Sequence, residues 1–372
     1  MKKIAVSFLK TGQKFTGPVY IEGENLFILE NTAISPKDIE LLSSLGVTGV
    51  FTEGAPLNTG GSVKDAGAGT DKIPASVQKT AVSKTFSALN VLVGELKTIF
   101  SAITAKKPAN IRLLWHITDN LIHLIKESQN EVMGFTLTEN ANGFTMEKNA
   151  IDTAILSTVM GQALGLSKEK NQELTAAAIL HDVGMLRLPE NIVKKEGSLS
   201  EQDVEILKSH TIHSFNIMKK ELMYPIYVCQ IALQHHEHWD GTGYPRRLSG
   251  NYINQRALIV SVADAFIAMI NKKAYRNSMT GYQAIKTLVS ENASYFSPDV
   301  LKLFVKIMGI YPIGSGVLLN NGQIAKIIGN NAAAPLRPVI QLLNDQKGEK
   351  IDLLTNKKLF IARALDIRGN SS

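Results

Sequence analysis

The sequence predicts a mainly α protein: a helical bundle flanked by a small N-terminal α+β module and a small C-terminal β appendage. Three observations predict it. Residues 146–308 read as helix after helix, from "AIDTAILSTVMGQALGL" to "PDVLKLFVKIMG", with apolar residues at three- and four-residue steps. After Tyr311 the apolar period drops to two, in "VLLNNGQIAKII" and "VIQLLNDQKGEKIDLL". Between them and the start lies "EGAPLNTGGSVKDAGAGTDKIP", whose Gly, Ala, Ser and Thr are linker chemistry.

Each element follows in order. Residues 1–54 mix short alternating stretches with one helix-like segment, "SPKDIELLSSLGV", where Ser35 can cap and Pro36 fills the first turn. The opening "MKKIAVSFLKTGQKF" reads as a strand, because Lys10 interrupts its apolar run and no small-residue cleavage signal follows. Residues 55–76 are the flexible linker. Residues 77–135 hold a helical pair, whose seam of Val82, Phe86, Leu89, Val93, Leu96 and Phe100 suits either the domain core or a homodimer. Residues 136–308 form the helical body, in which "SEQDVEILKSHTIHSFNIMKK" reads as one helix with Ser200 and Asp203 as its capping pair. Residues 309–372 are the β appendage, turning at Asn321 and Gly322 and again near Gly348.

A chain of 372 residues with 44% hydrophobic and 20% charged composition excludes disordered and collagen-like classes. The formal charge of +7 favours anionic ligands. Lys and Arg are spread out, with short pairs such as Lys272 and Lys273, which suits a nucleotide or phosphodiester better than duplex nucleic acid. Cys229 is the single cysteine, so the expected compartment is the cytoplasm. No run reaches the roughly 18 uninterrupted apolar residues of a membrane span, and none is expected.

The helical body also carries the chemistry: His181, Asp182, His210, His213, His235, His236, His238, Asp240 and Asp264. Six of the eight histidines fall between positions 181 and 238, too tight a cluster for scattered surface residues. Imidazole with carboxylate and no thiolate suits Mn, Fe or Zn. An Asp beside a His can bridge two such ions, and paired cations stabilise the attacking and leaving oxygens of an in-line phosphoryl displacement. Asp182 is the candidate bridge.

The run "AAAILHDVGMLRLPENIVKKEGSLSEQDVEILKSH", then "HHEHWDGTGYP", "SVADAF" and "AYR", resembles the HD-GYP branch of the HD phosphohydrolase superfamily, bacterial cyclic di-GMP phosphodiesterases. The resemblance covers about residues 140–308. It implies an HD-type metal phosphohydrolase bundle that binds cyclic di-GMP and hydrolyses it to pGpG or GMP, with divalent ions, Fe or Mn, as cofactors. It implies metal ligation by His181, Asp182, His210, His235, His236 and Asp264, with His181 and Asp182 at the catalytic centre. Asp182, His210, His235 and His236 would hold one ion; His181, Asp182, Asp264 and an earlier histidine would hold the other. Gly243, Tyr244 and Pro245 would form a loop beside the substrate and a surface for signalling partners such as a diguanylate cyclase.

The sequence departs from the family pattern in one half of this site. The early histidine falls at Asn149, or at Lys148 on a different anchor, with Asp152 and Glu147 as nearby substitutes. The lysine after HD is Met185, which leaves Arg187, Lys194 or Lys195 for phosphate, and Arg187 is nearest. Later positions read Leu258, Ile267 and Lys273, while Tyr275 and Arg276 remain; Lys273 and Arg276 join the substrate-binding candidates. The expectation is therefore one tight and one weak metal site, with impaired activity. The rival is an inactive receptor or scaffold that binds cyclic di-GMP or a diguanylate cyclase, and a third reading is hydrolysis of another nucleotide. His116, His123, His213, His238 and Cys229 read as structural.

Overall fold

Side-chain caps start most of the long helices in the computed structural model. Ser83, Asn110, Thr145 and Ser167 accept hydrogen bonds from backbone N–H groups three residues on. They open α1 (Lys84–Thr104), α2 (Ile111–Phe135), α3 (Met146–Ala163) and α4 (Lys168–Leu180). The structure describes residues 1–57, 83–138, 145–271 and 279–367, apart from 22–24, 29, 35, 37, 40–41, 43–46, 196, 291–292, 332–333, 344–347 and 366. Much of the helix expected at "SPKDIELLSSLGV", and the linker after Leu57, fall outside these residues.

The chain divides into two units, and residues 81–279 with 292–307 make the helical one. After α4 come α5 (Glu190–Val193), α6 (Glu201–Lys208), α7 (His210–Lys220), α8 (Ile226–Gln234), α9 (Gln255–Ile270) and α10 (Pro298–Met308), which ends at the unit's border. Helix α3 is the central member: every residue from Lys148 to Gly161 is buried, and α1, α2, α4 and α9 pack around it. The α1 seam buries Leu89, Leu96 and Phe100 as the sequence suggests and adds Leu92, Ile99 and Ile103, against α2 and α3. Helix α1 has the length and composition to cross a membrane, unlike the sequence-based expectation, though a third of that window is buried in this packing.

The stretch expected as one helix after Ser200 is two. The capping box of Ser200 and Asp203 opens α6, and the chain turns at Ser209, so that His210 begins α7. Gly184, in the turn Val183–Arg187, lies where a Cβ would come within 2.0 Å of the His210 carbonyl oxygen. Only a residue without a side chain lets this turn touch α7, and the Gly184 N–H donates to Ser214 Oγ at 2.8 Å.

The second unit holds residues 1–80, 280–291 and 308–372. Its strands are β1 (Lys2–Ala5), β2 (Lys14–Phe15), β3 (Val19–Ile21), β4 (Asn25–Ile28), β5 (Gly49–Thr52), β6 (Pro56–Leu57), β7 (Gly316–Leu319), β8 (Ile324–Gly329), β9 (Val339–Leu342), β10 (Lys350–Asp352) and β11 (Ile361–Leu365). One antiparallel sheet runs β1-β5-β3-β4 and another β10-β9-β8-β7-β11, while β2 pairs with β6. The terminal segments, read from sequence as separate pieces, thus share one unit, in which β4 touches β11. Two boundaries differ as well. Pro56 and Leu57, placed at the start of the linker, are paired in a strand, and the helix Gly281–Ser290, placed in the helical body, belongs here. Lys286 of that helix donates to the Phe27 carbonyl at 2.9 Å, and Val289 packs on a core that includes Phe15, Phe27 and Val50.

Candidate metal centre

The chemistry-bearing residues cluster where helices begin or end. His181 is the C-cap of α4 with Asp182 directly after it, His210 opens α7, His235 is the C-cap of α8 with His236 beside it, and Asp264 lies inside α9. Such positions let a side chain swing off the helix axis toward a common point.

Three imidazoles are held the same way. Nδ1–H of His181 donates to the Ala178 carbonyl at 2.7 Å, that of His210 to Leu207 at 2.6 Å, and that of His235 to Ala232 at 2.8 Å. A carbonyl only accepts, so the proton sits on Nδ1 and a bare lone pair is left on each Nε2. These Nε2 atoms and Asp182 Oδ1 are buried without a hydrogen-bond partner.

The bare atoms converge on Asp182. Its Oδ1 is 3.2 Å from His210 Nε2 and 3.6 Å from His235 Nε2, while Oδ2 is 3.4 Å from His181 Nε2. His181 Nε2 is also 3.4 Å from Asp264 Oδ1. Lone pairs facing carboxylate oxygens repel unless a proton or a cation lies between them, and a donor set of imidazoles and carboxylates at these distances suits a metal ion. The donors form two groups, each with its ligand atoms within 4.8 Å of one another: Asp182, His210, His235 and His236, and His181, His235 and Asp264. The first is the quartet expected from the sequence. In the second, His235 takes part beside His181 and Asp264, while Asp182 turns one oxygen toward each group.

The electrostatics carry the same demand. Burial opposes charge on His181, but the Asp182 and Asp264 carboxylates outweigh it and raise its pKa well above the usual value. Burial and neighbouring imidazoles lower the pKa of His235 and His236, which favours the neutral ligand form. Burial acts against the Asp264 carboxylate, yet His181 beside it brings its pKa to about 2.

At the divergent positions, Asn149 Oδ1 accepts from Asn271 Nδ2 at 3.4 Å, at the end of α9. Asp152, weighed above as a substitute ligand, is instead fully buried against Lys148, with Nζ 2.6 and 2.7 Å from its two oxygens. Glu147 joins neither donor group. Met185 is half-buried in the turn after Asp182.

The expected phosphate cations are also otherwise engaged. Arg187 donates to both Glu221 carboxylate oxygens and to the Ile103 carbonyl. This corrects its reading as the nearest phosphate ligand, since the guanidinium is committed to a structural bridge. Lys194 pairs with Glu190 and Lys195 with Asp203. Lys273 and Arg276 lie outside the described residues.

The Gly243–Tyr244–Pro245 loop closes over the quartet. The Tyr244 ring stacks on His236 with centroids 4.8 Å apart, and its N–H donates to the His236 carbonyl at 3.0 Å. A Cβ on Gly243 would come within 2.2 Å of the His238 nitrogen, so the close backbone approach requires glycine. Sequence reasoning missed what fixes this loop. Glu237, fully buried, accepts from the backbone N–H of Arg246 at 2.7 Å and of Leu248 at 2.8 Å. An acidic residue next to two histidines, ahead of a Gly-rich turn, was the available signal. His238 stacks on Tyr295 and bonds Thr242, a structural role.

Residues 117–300 match the HD domain family, and residues 316–371 match the KOW domain associated with HD domain. The chain is 33% identical over 204 residues to the cyclic di-GMP phosphodiesterase PdeB of Borreliella burgdorferi, covering 55% of this chain and 53% of that protein. It is 37% identical over 153 residues to a cyclic di-GMP phosphodiesterase of Thermotoga maritima, covering 41% of this chain and 42% of that one. The chain thus spans about half the length of these curated relatives. Its fold is similar to that of Bd1817, an HDG"Y"P protein from Bdellovibrio bacteriovorus, with a TM-score of 0.50 and 18% identity over 82% of this chain and 97% of that one. Because the HD match contains both donor groups and the loop that roofs them, the chain belongs to the HD-GYP family.

Proposed function

We propose that this protein is a metal-dependent phosphodiesterase that hydrolyses cyclic di-GMP to pGpG or GMP. The observation that carries the reading is the convergence of buried, unpartnered imidazole and carboxylate atoms from the ends of α4 and α8 and the start of α7. The relatives support the substrate: their names specify cyclic di-GMP and, in some cases, 3'3'-cGAMP.

Fe or Mn suits a donor set of imidazole and carboxylate. Asp182, His210, His235 and His236 would hold the tighter ion, and His181, Asp182 and Asp264 the weaker one, because Asn149 is turned to Asn271. A bound divalent ion supplies Lewis-acid polarisation of a phosphoryl oxygen and activation of water near neutral pH. The protein's own groups do the positioning. Carbonyl-held histidines keep their lone pairs aimed, Asp182 joins the two halves, and Tyr244 walls the substrate side against His236. We place the protein in the cytoplasm, where a buried, unpaired thiol such as Cys229 is ordinary.

A second reading, a receptor that holds cyclic di-GMP or docks a diguanylate cyclase through the Gly243–Pro245 loop, is favoured by Asn149 and Met185. The test is turnover of cyclic di-GMP by protein purified without oxygen and loaded with Fe or Mn, beside Asn149→His and His235→Ala. The enzyme reading expects slow turnover that Asn149→His raises about tenfold or more and His235→Ala abolishes. Binding without turnover in the wild type, with activity appearing only in Asn149→His, establishes the receptor. Turnover that survives His235→Ala removes the site assignment.

A further inference from the structure

We infer that Lys208 anchors the second phosphodiester of a cyclic dinucleotide, the one that does not lie at the metal donors; the inference rests on the phosphodiesterase reading above. Lys208 ends α6, two residues before His210. Its Nζ lies 5.7 Å from the centre of the Tyr244 ring, and that ring stacks on His236 at 4.8 Å. The ammonium is therefore one aromatic ring away from a metal-donor imidazole. A cyclic dinucleotide carries two anionic phosphodiesters on opposite sides of one macrocycle. With one of them at the His–Asp cluster, the other lies across the ring and calls for a cation set apart from the metals.

Lys208 is set apart by its place beside Tyr244. Arg187 is held by Glu221 and the Ile103 carbonyl and Lys195 by Asp203 of the capping box, while Lys194 makes an exposed pair with Glu190 and no contact with the Tyr244 ring is seen for it among the described residues. Lys208 pairs with Glu205 across an i, i+3 step at the surface, with the carboxylate side chain 71% and the lysine 38% exposed. Exposed pairs of this kind are weak and yield to a multiply charged ligand. The face of Tyr244 adds cation–π attraction that keeps the ammonium at the rim.

The test uses the full chain loaded with Mn, comparing wild type with Lys208→Met and Lys208→Arg. Substrates are cyclic di-GMP and bis(p-nitrophenyl) phosphate, a diester with a single phosphate. Lys208→Met should raise KM for cyclic di-GMP about tenfold or more, with a smaller fall in kcat, and should lose less on the single-phosphate diester. Lys208→Arg should recover most of the loss. Equal losses on both substrates, or none on cyclic di-GMP, overturn the inference. So does loss of bound metal in Lys208→Met, because the effect would then run through His210. If the wild type turns over neither substrate, the phosphodiesterase reading fails on its own. Equilibrium dialysis then decides: cyclic di-GMP binding about tenfold weaker in Lys208→Met and restored in Lys208→Arg supports the anchor, and equal affinity in all three overturns it.

Discussion

At the scale of single residues, the three Nδ1–carbonyl bonds fix the imidazole rings of His181, His210 and His235 with each Nε2 turned toward the cluster. The Lys148–Asp152 pair is a separate case. Burial pushes the Asp152 carboxyl up from 3.8 to about 7, against the pull of the ammonium. A folded-state pKa above the unfolded one means that the folded chain holds the extra proton. This contribution to stability is full below about pH 4 and is lost as pH rises through about 7. Asp152→Asn should flatten that part of the fall in urea-melt stability between pH 4 and pH 7, and parallel curves for wild type and variant would refute the assignment. The sequence shows these residues four apart and suggests a ligand. Only the fold shows that they satisfy each other.

At the scale of elements, the loop after α8 is held from below by one carboxylate. Glu237→Gln leaves one oxygen to accept one of the two backbone N–H bonds and turns an NH2 donor toward the other N–H. The expected cost is about 1.5–3 kcal/mol of stability. The Tyr244–His236 stack should loosen with it, read as faster hydrogen exchange at Arg246 and Leu248. Unchanged exchange at those two amides would count against the clamp. The break at Ser209 works at the same scale. A continuous helix through "ILKSHTIH" would send His210 along the α6 axis, whereas a new start lets its Nδ1 reach back to Leu207.

At the scale of the whole molecule, metal binding should stabilise the helical unit, because its donors oppose one another when no proton or cation lies between them. Adding Mn to chelator-treated protein at a hundredfold excess over Kd should contribute about 2.7 kcal/mol. The matching measurements are a rise in Tm and a metal content nearer one ion per chain than two. A Tm indifferent to metal would contradict the fit. The effect belongs to residues 81–279 and 292–307, since the unit that joins both terminal segments contains none of the donors.

The sequence by itself determined the helical body, the period-two strands after Tyr311 and the Ser200–Asp203 capping box, and its family resemblance pointed to Asp182, His210, His235 and His236, which the fold brings together. Those follow from local periodicity, from caps within four residues, and from a motif whose spacing is written along the chain. Tertiary structure alone decided that Asn149 bonds Asn271, that Arg187 is spent on Glu221, that Lys208 reaches the Tyr244 ring, and that both terminal segments share a unit. Each of these depends on which side chains meet across a long sequence separation. Such meetings are set by the packing of whole helices and sheets, and residue order alone does not encode them in a readable form.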